Sequence, residues 1–343
     1  MSLDNQTYTT NGNGYATDIG TWFMTYNNEQ MWKDNFGSGN PIFYRALVSE
    51  NPDIFGILDS SNVEMIDFQI RKMAEIGIDF ILYDITNGGL RPEIVYGRGN
   101  EWIVNNAILT CKRIAKWNRE NAHKIKYAIA VGMYKAILGE EFDEQGNCIH
   151  ADWTIGQCTE MQAEAVWKMF VENPEFGGDH YYHLNGKPLL IIHDWGENVL
   201  TVPHGWNAYQ GDRTYGDRFT VRNGQNGEPG TYGWQTSDGG TQVHPEVEVV
   251  CPGWSTASGD SRIPRENGEY YRRNWQVILD NPPPRIVMII ALNDYNESLA
   301  IFPTDTSRCN DRNEEQWRNT KGELDAYMYW NITKECINKL RNQ

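Results

Sequence analysis

The sequence predicts one α/β domain, a (β/α)8 TIM-type barrel with long loops at the carboxyl ends of its strands. Three observations carry this expectation. Short apolar runs rich in β-branched residues recur along the chain, amphipathic stretches separate most of them, and the runs end abruptly in polar or aromatic residues. A chain of 343 residues is long for one domain, yet parallel barrels routinely exceed about 250 residues without dividing. No linker composition interrupts it, so residues 17–343 read as the barrel and 1–16 as a flexible polar tail.

The elements follow in order. Residues 19–26 (IGTWFMTY) form an apolar, aromatic strand that ends in Tyr26. A second extended segment is expected around 42–47 (IFYRAL). Ser60 or Ser61 offers an N-cap, Glu64 to Ile76 carries apolar residues at helical spacing, and Gly77 stops the helix. The strand 78–85 (IDFILYDI) comes next, with Asp84 at its outlet, and an amphipathic helix from Glu101 to Asn118 follows. Residues 126–134 form a strand with Tyr134 at its end, and a helix is expected over 159–172. Then HLNGKPLLIIHDW gives a turn, a buried strand and the polar outlet His193, Asp194, Trp195. Extended pieces at 218–222 and 247–250 survive in a Gly- and Asn-rich region, the first ending in Arg222 and the second opening into Cys251-Pro252-Gly253-Trp254. A helix over 269–280, a strand from 286 and a last helix over 314–340 complete the count, with strands near 19, 42, 79, 127, 188, 218 or 232, 248 and 286.

Composition narrows the function. The net charge of −16, with no local basic stripe, argues against nucleic acid or anionic lipid as a partner. No run of about 18 apolar residues is available to span a membrane. Thirteen Trp, 18 Tyr and 11 Phe, many beside Gly, Asn and Asp, tilt towards carbohydrate, although such rings equally fill cores. The six cysteines include no C-x-x-C pair; Cys148 and Cys158 are near enough in sequence to close a loop in an oxidising compartment. The motifs H-E-x-x-H, G-x-S-x-G, G-x-G-x-x-G in a strand–helix setting and G-K-[ST] are all missing, and neither a metal nor a cofactor is implied. No signal peptide is read before the polar run 4–14, and the expected address is extracytoplasmic, with the leader outside this sequence. Oligomeric state is not legible.

The most informative stretch is Arg285 to Ser298, RIVMIIALNDYNES. Six apolar residues, 286–291, follow three prolines and read as a strand buried on both faces. Polarity then begins at once with Asn293, Asp294, Tyr295, Asn296 and Glu297, at the strand end where parallel sheets and barrels place ligands. Two carboxylates three residues apart in one turn can face a common pocket, and glycoside hydrolysis most often needs paired carboxylates. The same turn can instead be a polar loop in which Asp294 or Glu297 caps the next element.

ALNDYNES resembles the strand-8 motif, close to N-E-W-x-E-G, of barrel glycosidases related to endo-α-mannosidases (glycoside hydrolase family 99) and family 71 α-1,3-glucanases. IGTWFMTY, SSNVEMIDFQIRKMAEIGIDFILYD, NGKPLLIIH and CPGW resemble further family segments in the same order. The resemblance implies a retaining hydrolase of α-linked glycans, with Glu297 as general acid/base and Asp294 as the base that deprotonates the sugar's own 2-hydroxyl, through a 1,2-anhydro sugar. Three departures stand out: Asp294 for Glu, Tyr295 for Trp and Ser298 for Gly. Asp84, Tyr134, His193, Asp194, Arg222, Asn293, Tyr295 and Tyr26 are expected to bind substrate, with Trp22, Trp195 and Trp254 as stacking platforms. The partner is then an oligo- or polysaccharide. Two other readings remain. One is a two-carboxylate glycosidase pairing Glu297 with Asp84 or Asp194, and the other a catalytically silent glycan-binding barrel, which the change at Asp294 would explain.

Overall fold

The computed structural model describes residues 13–28, 45–86, 89–90, 95–96, 101–132, 155–193, 218–224, 230–233, 243–255, 261–308 and 317–343. Strands of the main sheet and the larger helices run in the order β1 (Asp18–Phe23), α1 (Val63–Ile76), β2 (Phe80–Ile85), α2 (Glu101–Glu120), β3 (Lys126–Gly132), α3 (Ile155–Val166), β4 (Lys187–His193), β5 (Thr220–Asn223), β6 (Val247–Val250), α4 (Glu269–Leu279), β7 (Ile286–Ile289) and α5 (Met328–Arg341). The spatial order is β5-β4-β3-β2-β1-β7-β6, every neighbouring pair parallel.

Both faces of this sheet are covered. β1, β2 and β7 are buried along their whole lengths, as the continuous apolar runs require. The helices that cover it start and stop on local signals. Asn62 caps α1, its side-chain oxygen accepting from the amides of Glu64 at 2.9 Å and Met65 at 3.1 Å. The expected caps are used otherwise: Ser60 exchanges hydrogen bonds with the backbone of Asn27, and Ser61 donates to Asp59. Gly77, at φ 87°, ends the helix in the left-handed conformation. Before β4, Asn185 and Gly186 both take positive φ, the requirement of a tight hairpin turn, and pair His183–Leu184 antiparallel with the strand.

The sheet is curled. Trp22 of the central strand β1 donates its indole N–H to the carbonyl of Tyr232 at 2.7 Å, and the Tyr232 amide donates to Asn223 of β5. Arg222 of β5 forms a two-pronged ion pair with Glu246, the residue before β6, at 2.5 and 2.7 Å. The two edge strands are therefore bridged by side chains, with residues 230–233 between them. Seven parallel strands are described, and β5 and β6 do not pair directly with each other among the described residues.

Two sequence expectations change. The extended segment near 42 contributes no strand to this sheet: Ala46–Leu47 pairs antiparallel with Phe55–Gly56 in a small separate hairpin, and residues 42–44 lie outside the described set. The last helix begins at Met328, because residues 317–325 fold into a turn closed by a bridge between Arg318 and Leu324. At the amino ends of the strands, Asp79 accepts from the Ile19 amide at 2.9 Å and from Arg341 of α5 at 2.9 Å, which ties the chain's last helix to its first strand. Asn13, from the stretch read as tail, also donates to Asp79, at 2.8 Å.

Gly20 shows how little slack the interior has. A Cβ there would lie 2.4 Å from the ring of Phe80 and 2.9 Å from the end of Met288. The Phe80 ring cannot swing aside, since it stacks on Tyr182 at 3.9 Å between centroids. Gly20→Ala is expected to destabilise the protein by about 1–3 kcal/mol. A urea titration checks this, and an unchanged midpoint contradicts it.

Candidate active site

After β7 the chain folds back on itself. The Ala291 amide donates to the Leu299 carbonyl at 3.0 Å, and the amides of Leu299 and Ala300 both donate to the carbonyl of Asp294 at 2.9 Å. The loop 293–298 is thus closed at its base. Asn293 clamps it to β1: its amide oxygen accepts from the Met24 N–H at 2.8 Å and its amide nitrogen donates to the Met24 carbonyl at 3.0 Å. This residue, 0% exposed, is a backbone clamp, not the sugar contact expected.

Asp294 and Glu297 come together on this loop. Oδ1 of Asp294 accepts from the Tyr26 hydroxyl at 2.6 Å and from the Glu297 amide at 3.1 Å. Trp254, from the segment after β6, donates its indole N–H to Oε2 of Glu297 at 3.2 Å. Three strand ends therefore supply one carboxylate pair and its donors. Asp84 at the end of β2 adds a third acidic group, its Oδ1 accepting from the Thr86 amide at 2.9 Å and hydroxyl at 2.6 Å.

Burial first, and then the charge of Glu297, push the Asp294 carboxyl up to about 8; Asp84 adds to the rise, while the donors Tyr26 and the Glu297 amide oppose it. With Asp294 buried and the half-buried Glu297 beside it, the two resist carrying two negative charges together, so Asp294 holds its proton well above the usual carboxylate range. Burial and the neighbouring Asp294 also raise the Tyr26 hydroxyl well above its usual range, so it remains a donor.

The fold resembles that of two endo-α-mannosidase structures. Both are GH99 enzymes from Bacteroides thetaiotaomicron. One, in complex with bis-tris propane, is 13% identical, with a TM-score of 0.57 over 94% of this chain and 97% of that one. The other is 12% identical, with a TM-score of 0.56 over 97% of this chain and 99% of that one. No protein-family model matches the chain, and no curated protein matches its sequence. The likeness is one of fold.

The remaining expected site residues divide. His193, 3% exposed, donates from Nδ1 to the Gly224 carbonyl at 2.5 Å and lies edge-on to Trp22, with ring centroids 6.5 Å apart. Trp22 is 0% exposed, so it packs the interior and offers no stacking face. Tyr295, 1% exposed, sends its hydroxyl to the carbonyls of Phe302 and Pro303 and supports the loop from beneath. Arg222 is engaged by Glu246 across the sheet edges and is not brought to the carboxylate pair. Trp254 reaches the site as a hydrogen-bond donor, a role the stacking expectation did not include. Tyr134, Asp194 and Trp195 lie outside the described residues, as do Cys148 and the side chain of Cys158. Among the described residues no group of three or more His, Cys, Asp or Glu is placed to hold a metal ion, and no helix is long and apolar enough to cross a membrane.

Sequence reasoning missed Gly253. At φ 138°, its missing Cβ would stand 2.6 Å from the Arg265 stem, so it lets Trp254 turn towards Glu297 while that arginine passes behind. The CPGW segment was the available signal.

Tyr26 carries a direct prediction. Its hydroxyl holds down the Asp294 value, so Tyr26→Phe is expected to move the alkaline limb of any pH–rate profile upward and to lower neutral-pH turnover roughly tenfold. A pH–rate series on both proteins reads this, and coincident profiles would count against it.

Proposed function

We propose that this protein is a retaining glycoside hydrolase that cleaves an α-linked, mannan- or glucan-type oligo- or polysaccharide. The observation that carries the reading is the pairing of buried Asp294 with half-buried Glu297, furnished with donors from Tyr26 and Trp254, with the Asp294 carboxyl pushed up to about 8. An acid and a base working together require one proton between them. A 2-hydroxyl donating to Asp294 adds to the two donors already there and favours placing the charge on Asp294 and the proton on Glu297.

In the first step O2 of the sugar attacks C1 as Asp294 takes the hydroxyl proton. The C1–O glycosidic bond breaks, and Glu297 protonates the departing oxygen. Water then attacks C1 of the 1,2-anhydro sugar, giving its proton to Glu297, while Asp294 returns a proton to O2. Two inversions at C1 retain the anomeric configuration. The fold shared with endo-α-mannosidase structures supports this assignment. We further place residues 230–233, bonded to β5 through Tyr232, as the position that completes an eight-stranded barrel.

The test is release of sugar from a panel of α-mannans, α-glucans and branched α-linked glycans, with the product anomer followed by NMR. Release of the α-anomer first supports the reading. First appearance of the β-anomer would sink it in favour of an inverting two-carboxylate enzyme, whose carboxyls stand roughly 6.5–9.5 Å apart. Binding without release would make the barrel a glycan-binding protein.

A further inference from the structure

We propose that Arg265 is a positioning residue for Glu297, the acid of the Asp294–Glu297 pair; this rests on the glycosidase reading. Arg265 is 2% exposed. Two of its three guanidinium nitrogens are spent on the loop that carries the pair, while Nη1 makes no hydrogen bond among the described residues. Nε and Nη2 both donate to the Ser298 carbonyl, at 3.1 and 2.6 Å, and Nη2 also donates to the Ala300 carbonyl at 2.8 Å. Ser298 follows Glu297 directly, and the Ala300 amide donates to the carbonyl of Asp294. One fork therefore grips the backbone that follows both carboxylates in the chain.

The grip is directed. The guanidinium lies 4.4 Å from the ring centre of Tyr329 and 5.0 Å from that of Trp317, in the corner of an edge-to-face pair. Ser298 is held at φ 53°, a conformation that favours glycine. Glu266 and Asn267, the next residues after Arg265, also take positive φ, at 50° and 52°. Backbone held in such regions persists where surrounding structure over-determines it. The stem of Arg265 meanwhile passes Gly253, which neighbours Trp254, so the same side chain backs the acid and the indole that donates to it. Lysine keeps the charge but not the planar fork, and cannot serve two carbonyls and two rings alike.

Arg265→Lys is compared with wild type on three readouts. Turnover of an α-linked mannotriose or glucotriose is expected to fall 10- to 100-fold with KM unchanged. Turnover of the matching α-disaccharidyl fluoride, whose leaving group needs little acid help, is expected to fall less than threefold. The Trp254 indole 15N–1H resonance, assigned with Trp254→Phe, is expected to move, while that of Trp22 stays. An unmoved Trp254 resonance, or equal losses on both substrates, overturns the proposal and leaves Arg265 a packing residue. If wild type releases no sugar from any glycan but the Trp254 resonance moves, the glycosidase reading fails and the positioning of this loop stands. Should Arg265→Lys fail to fold, Tyr329→Leu removes one ring from the guanidinium and is expected to shift the same resonance in the same direction; an unshifted resonance there also overturns the proposal.

Discussion

Glu297→Gln is expected to reduce glycan turnover by about 10²- to 10⁴-fold while leaving the fold intact, because a positioned proton donor contributes on that order. Glutamine preserves the side-chain length and can still accept from the Trp254 indole, which now donates to Oε2 of Glu297 at 3.2 Å. What it cannot do is deliver a proton to a departing oxygen. The loss should therefore fall on kcat and be largest for natural glycans, whose leaving alkoxides need protonation most. Steady-state release of reducing sugar, run beside a thermal melt of both proteins, checks this. Turnover within threefold of wild type would remove Glu297 from the mechanism. The Gln variant also loses one of two like charges, so the remaining Asp294 is expected to titrate lower than about 8.

Asp294→Asn is the second large effect, and it acts on stability and activity in opposite directions. Burial and the Glu297 charge raise Asp294 to about 8 in the folded protein, whereas an unfolded Asp titrates near 3.9. Ionising it costs the folded state more than the unfolded one. The stability associated with this group is fully present below about pH 4 and is lost as pH rises through about 8. Asparagine does not ionise. The variant is therefore expected to match wild type near pH 4 and to exceed it at pH 9 by on the order of a few kcal/mol. On the proposed mechanism activity is expected to fall at least 100-fold, because the variant offers no base to the 2-hydroxyl. Urea titrations at the two pH values decide it: a stability difference that stays constant between them would mean that Asp294 does not titrate as its surroundings dictate. A gain in stability with loss of activity is what an active-site charge held against its own desolvation should produce.

The organisation of the chain was legible in the sequence wherever local pattern is sufficient. The alternation of apolar strands and amphipathic helices marks β1, α1, β2, α2, β3, β4, β6 and β7 nearly at their observed limits, because a strand buried on both faces needs an unbroken apolar run. The Gly77 stop and the polar break after Ala291 were equally local, and the break placed Asp294 and Glu297 on one loop before any fold was known. Local pattern failed where two signals competed. Asn62 won the helix cap over Ser60 because Ser60 is taken by Asn27, a residue 33 positions away at the end of β1. The residues before Met328 have helical spacing, yet fold as a bridged turn.

The roles within the site were decided by tertiary structure, because each depends on partners far apart in the chain. Tyr26 and Asp294 are separated by 268 residues, Trp254 and Glu297 by 43, and Arg265 and Ser298 by 33. Arg222 resembles a ligand contact until Glu246 is seen to hold it, and Trp22 resembles a stacking face until the curl of the sheet buries it. The sequence by itself determined that two carboxylates stand together at the carboxyl end of a buried strand. Only the tertiary structure determined that Asp294 is desolvated, that each carboxylate receives a donor from another strand end, and that the Asp294 carboxyl is pushed upward. A carboxyl's charge state is set by the water it has lost and the dipoles aimed at it, and both are properties of the folded chain.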